Sequence, residues 1–369
     1  MVAVEARGWD HSSRGRHGRH YVVIHPLGHP RPPVGAPPRP WGLPVAAEAV
    51  RTRRHRAAYS GRVGVPLTSA AASALPPFGL SRIVTEWGVN PWLTVLTVWV
   101  AGAYVVGVWT LRSRGDHWPW PRTFSFVVVG MGLFYVATSS GLAAYDTTLL
   151  SVHMVQHMVL SMLVPLALAL GAPVTLALRT LPRRPRALLL RVLHSRVARV
   201  LTFPPLTFLL FVLSPWVLYF SGWYEASLRH PFLHEMTHVH LVLIGSLFLW
   251  PLVGIDPVPG RVAYPFRMLL ILLTLPFHAF LGLTIMNQTT VIARDWYDGL
   301  TLTWLPAPAD DQHLAGGILW GSGDLVGLVL FFVLFAQWAR SSMREAARED
   351  RRLDLLERTT QHRGSGSAE

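Results

Sequence analysis

Cysteine is absent from this chain of 369 residues. That excludes disulfides, thiolate metal sites and cysteine nucleophiles, so any metal ion would rest on histidine, methionine or carboxylate. Lysine is absent too, and all 33 basic residues are arginine. With abundant alanine, glycine, proline and valine, this points to a GC-rich genome rather than a selected property. Charge itself is scarce. Only 14% of residues are charged while 51% are hydrophobic, against about 25% charged in a typical soluble domain. The deficit indicates a membrane protein. A net charge of +13 invites a nucleic-acid reading, which the placement of the arginines removes.

Residues 1–80 have no sustained apolar period and are rich in Arg, Pro, His, Gly and Ala, as in RPPVGAPPRPWG and RTRRHRAAYSGR. Such a composition cannot bury a core, so a disordered extension is expected, or a true start further downstream. No compact apolar segment follows a basic start, as a signal peptide would require. From there on the chain alternates long apolar runs with short polar ones. About 20 apolar residues cross the roughly 30 Å hydrocarbon core, and seven spans are expected. They lie near Trp92–Leu111, Phe124–Ala144, Val152–Leu178, Leu201–Phe220, His234–Val253, Phe266–Asn287 and Leu314–Trp338. The expected fold is an all-α polytopic bundle over residues 81–340, followed by a charged tail, 341–369. No room is left for a large soluble domain.

The loops orient the bundle. Nineteen arginines fall on one side, seven of them in RTLPRRPRALLLRVLHSRVARV and seven more after Trp338. The opposite loops hold only Arg229 and Arg294, against several acids. By the positive-inside rule the arginine side is cytoplasmic, the C-terminus lies inside and the N-terminus outside. The basic charge is therefore a topology signal, and nucleic acid is not expected as a partner. The tail REAAREDRRLDLLERTTQ mixes signs at helical spacing and reads as a solvated helix.

Histidine carries the chemistry. His153 and His157 open the third span, and His234 and His238 open the fifth; each pair is four residues apart and shares one helix face. With that orientation both pairs, His240, Asp311 and His313 lie at the outer ends of their spans, with His278 about 13 Å deeper. Ionisable groups inside spans are costly and mark function. A metal or haem site between the pairs is expected. The candidate ligands are His153, His157, His234, His238 and His278, with Met154 and Met158 as thioethers. Imidazole with thioether suits copper, and Cu(I) in particular; a bis-histidine haem needs only one ligand from each helix. Glu235, Asp311 and Gln312 are candidates to orient a ligand histidine through its second nitrogen.

His234–His238 is also a literal H-E-x-x-H, the zinc protease motif with Glu as general base. Such a protease needs a further ligand, and Asp256 and Asp298 fall in loops, the first on the wrong side. Gly316, Gly317, Gly321 and Gly323 read as small-residue helix packing, and Asp324, inside the last span, should be buried and paired.

Four motifs in order, HMVQHM with LVPLALALGAPVTLALR, HEMTHVHLVLIGSLFLWPLVGIDP, HAFLGLTIM and DQHLAGGILW, resemble the CtaG family of assembly factors for caa-type cytochrome c oxidases. The resemblance covers about Trp87 to Ala347. It implies a bacterial plasma-membrane protein, not itself an enzyme, needed to make an active haem-copper oxidase by delivering copper. The partner it implies is an oxidase subunit. The positions it carries are His153, His157, His234, Glu235, His238, His278, Asp311, Gln312 and Gly316–Gly317; it gives no firm pattern at His240.

Overall fold

A computed structural model describes residues 75–365 apart from 261, with side chains through 355. Among the described residues every regular element is helical. The elements used below are α1 (Pro91–Ser113), α2 (Trp120–Tyr145), α3 (Leu150–Thr180), α4 (Arg183–Leu193), α5 (Arg196–Leu201), α6 (Pro204–Phe220), α7 (Trp223–Arg229), α8 (Pro231–Val253), α9 (Tyr264–Asn287) and α10 (Pro308–Ser365). Single turns at Arg82–Thr85 and Arg294–Tyr297 complete the chain.

Six helices, α1, α2, α3, α8, α9 and α10, are long and apolar enough to cross a membrane. The fourth expected span, Leu201–Phe220, is shorter than these. α6 has 17 residues, and the chain bends by 64° before α7. Ser221 and Gly222, both poor at holding a helix, occupy the bend. The all-α polytopic bundle is borne out. The last span and the expected tail are one continuous helix, α10, as far as residue 365. Of the expected extension, residues 1–74 lie outside the described residues, and residues 75–80 are held by the bundle. Trp304 donates to the Leu75 carbonyl, Tyr145 donates to the Pro76 carbonyl, and Phe78 stacks edge-on against Tyr145. Apolar and aromatic side chains give this short stretch something to bury.

Three local devices position the histidine-bearing helices. Pro165 has no N–H to give the Ser161 carbonyl one turn earlier, and α3 widens to a π-helical turn over Val159–Leu163. That carbonyl sits so close to Gly245 of α8 that a Cβ there would collide with it. The backbones of α3 and α8 therefore cross nearly in contact, about two turns beyond the histidines. At the start of α3, Leu149 supplies no side-chain cap. Asp311 of α10 does so instead, accepting from the backbone N–H groups of Leu150 (2.6 Å) and Ser151 (3.2 Å) and from the Ser151 hydroxyl. Gln312 then ties the end of α9, accepting from the Ile292 N–H (2.7 Å) and donating to the Ile285 carbonyl (3.2 Å).

Candidate metal centre

The turn between α2 and α3 carries Asp146, a carboxylate only 1% exposed. Burying an isolated carboxylate costs several kcal/mol, so it needs partners. Its partners come from α8: His234 Nε2 lies 2.9 Å from Oδ2, and His238 Nε2 lies 3.6 Å from the same oxygen. One ligand atom from each of the three residues fits within 4.8 Å, a spacing a single metal ion can bridge. Burial pushes the Asp146 carboxyl up, but His234 and His238 outweigh it and hold the group well below the usual carboxylate range.

α3 adds the fourth group. The His153 ring is 6.3 Å from that of His234 and packs against Tyr224 at 4.8 Å. Both its ring nitrogens are buried without a hydrogen-bond partner, as are Asp146 Oδ1 and His234 Nδ1. Four orphaned polar atoms on neighbouring side chains are far from the norm for a folded interior; His153 stands outside the three residues whose ligand atoms a single ion could bridge. Aromatic rings seal this region: Tyr219 packs on Tyr224, whose hydroxyl is 2.7 Å from that of Tyr297.

His238 is held from both sides. Glu235 Oε2 is 3.3 Å from its Nδ1, and Gln156 Oε1 is 3.2 Å from its Nε2. Gln156 in turn donates to the Ala137 carbonyl at 2.8 Å, which fixes which way its amide points. From there Glu235 can orient the His238 ring.

Several expected residues stand elsewhere. His157 binds the Tyr219 hydroxyl through Nδ1 at 2.8 Å, one turn past His153, and is not in the cluster. His278 hydrogen-bonds the Thr274 carbonyl and packs against Phe211. His240 pairs with Ser214. Met154 and Met158 are buried in the apolar core, because the residues next to a helical histidine point about 100° away from it. Asp311 and Gln312 contact backbone at the ends of α3 and α9 rather than a histidine ring, which corrects their expected role. Asp324 is only half-buried and accepts from the Trp320 indole at 2.8 Å. Asp146 is the group sequence reasoning missed. Its signal was an acid ending one apolar run, seven residues before His153.

Asp146 also alters the protease comparison, since it stands beside both histidines of the H-E-x-x-H, where an acidic third residue is required. Glu235, however, touches the far nitrogen of His238 rather than the side facing Asp146. In a zinc protease that glutamate serves the metal-bound water.

The model of the cytochrome c oxidase caa3 assembly factor family (Caa3_CtaG) matches residues 102–341. The chain belongs to that family. The resemblance read from the four motifs is thereby borne out, and so is a membrane protein of several spans. Among curated proteins, uncharacterized proteins of Mycobacterium bovis and Mycobacterium tuberculosis are each 39% identical over 285 residues. One of Mycobacterium leprae is 36% identical. Each alignment covers 75% of this chain but 43% of the relative, so the chain spans less than half the length of the curated relatives it matches. No solved structure matches. Within this Caa3_CtaG chain, Asp146, His153, His234 and His238 all fall inside the matched segment.

Proposed function

We propose that this protein serves the assembly of a caa3-type cytochrome c oxidase. It holds a copper ion between Asp146, His234 and His238, with His153 as fourth ligand, and passes it to an oxidase subunit. The observation that carries this reading is the cluster of one carboxylate and two imidazoles, with the unpartnered His153 ring 6.3 Å from that of His234 and four buried polar atoms among these residues left without a partner. Family membership supplies the oxidase. The ligand set departs from the thioether-rich one expected for Cu(I). Carboxylate and imidazole are harder donors and favour Cu(II). The arginine-poor loops support a site at the outer face of a bacterial plasma membrane. The cargo is bound and released rather than transformed, so the protein acts as a carrier and not as an enzyme.

The test has two halves. Purified protein titrated with Cu(II) should bind one equivalent with nitrogen hyperfine structure in its EPR spectrum, and His234→Ala should lose it. In cells, His153→Ala and His238→Ala should lower the copper content of the oxidase. Full oxidase copper in those variants would sink the reading. A Soret band on the purified protein would replace it with the haem reading. The protease reading gains from Asp146 as a third ligand; it requires Glu235→Gln to abolish cleavage of a membrane substrate while metal stays bound.

A further inference from the structure

The far end of α3 carries a second unassigned surface. α3 runs 31 residues from the histidine end to Thr180, interrupted once at Gly171–Ala172, so α4 and α5 lie at the membrane face opposite the histidine cluster. They join α3 to α6, and both span ends must meet the bilayer surface there.

Arginines near this end divide into two groups. Arg114 donates to the carbonyls of Arg179 and Thr180, capping the end of α3, while Arg122 and Arg179 lie over the Trp118 ring. These serve the fold. Arg183, Arg184, Arg186, Arg191, Arg196 and Arg199 do not. All six are exposed, and none of their guanidinium groups has a partner among the described residues. No acidic residue occurs between 182 and 203 to neutralise them.

The same two helices expose apolar side chains. Leu188 is 57% exposed and Val192 54%, one turn apart on α4; Val197 and Val200 follow on α5. Arg184 and Arg191, two turns apart, flank the Leu188–Val192 stripe. Neither helix has a buried residue. An amphipathic helix with arginine beside an uncovered apolar stripe lies in a membrane interface, its guanidinium groups reaching outward past their apolar stems. A linker between two spans has the bilayer as its nearest apolar medium.

We infer that α4 and α5 form a binding site for anionic phospholipid headgroups, with Leu188, Val192, Val197 and Val200 seated among the acyl chains and the six arginines holding phosphates. Phosphate takes arginine in paired hydrogen bonds, and each basic residue near an anionic surface strengthens binding by about fivefold. The site thereby fixes the linker to an anionic leaflet, independently of what the histidine cluster carries.

The test uses the full chain in lipid nanodiscs. Phosphatidylglycerol, but not phosphatidylcholine, should raise the thermal midpoint and remain bound in native mass spectra. A variant with Arg184→Gln, Arg191→Gln, Arg196→Gln and Arg199→Gln should lose that retention by at least about a hundredfold, and free inorganic phosphate should not replace the lipid. Equal retention of both lipids, undiminished retention by the glutamine variant, or full replacement by phosphate would overturn the site. So would capture of an acidic protein that competes the lipid away. If the glutamine variant fails to fold, the same four positions changed to lysine decide. They keep the charge but lose the paired hydrogen bonds, so retention should fall yet stay selective for phosphatidylglycerol, and undiminished retention or loss of that selectivity counts against the site.

Discussion

Asp146 and Asp256 are each 1% exposed, and they sit near opposite ends of α3. At Asp256 both oxygens are occupied. They accept from the backbone N–H groups of Val174 and Thr175, the Thr175 hydroxyl and the Trp250 indole. These donors cap the helical turn that begins at Pro173 and tie it to the end of α8. At Asp146 one oxygen has no partner and the other is shared by two histidines. Equal burial therefore conceals two uses. A fully satisfied carboxylate builds the fold, whereas one left partly unpaired among unpaired imidazoles is arranged for something else.

Substitution separates the two. Asp146→Ala should weaken Cu(II) binding by more than about a hundredfold, since even outer-shell changes cost ten- to a hundredfold. Asp256→Ala should leave copper affinity within about threefold, yet destabilise the protein by roughly 3 kcal/mol through its orphaned donors. Isothermal titration beside thermal unfolding reads both, and a copper defect in Asp256→Ala would erase the contrast. Next in size, Glu235→Gln should weaken copper by about tenfold, because it loosens His238 without removing a ligand.

Acid provides a finer cut. The folded Asp146 carboxyl sits below its ordinary value, so its stabilisation is complete above about pH 4 and fades as the pH falls toward the folded value. The gap in thermal midpoint between the native protein and Asp146→Asn should be widest near neutrality and narrow on acidification; a gap that widens in acid contradicts the pairing. The smallest effect belongs to Met154→Leu and Met158→Leu. These swaps conserve volume in the core and should cost under about 1.5 kcal/mol, with copper affinity unchanged within twofold. A large loss would return the thioethers to the site.

Much of the fold was legible because a bilayer imposes simple rules. Apolar runs long enough to cross it are visible as runs, and α1, α2, α3, α8, α9 and α10 lie where hydrophobicity predicts. The expected fourth span ends at Phe220, as α6 does, but the second helix α7 set at 64° to it was not read from the sequence, because Glu225 and Arg229 make that stretch polar. Half of the site was legible too. His234 and His238 share a face by spacing alone, and the spacing is kept in the helix. The same spacing at His153 and His157 misleads, because one turn of depth decides which ring reaches Asp146 and which reaches Tyr219.

The sequence by itself determined the place of the six long apolar helices, the absence of thiolates and the histidine-bearing ends, because each depends on local composition and a fixed helical period. Tertiary structure alone decided which side chains meet at the cluster. Asp146 is 88 residues from His234 in the chain. They meet because the Ser161 carbonyl, freed by Pro165, lets α3 close against Gly245. The cap that Asp311 supplies from α10 then fixes where α3 begins. Contacts between distant segments depend on packing depth and rotation, and neither is written in the period of a single helix.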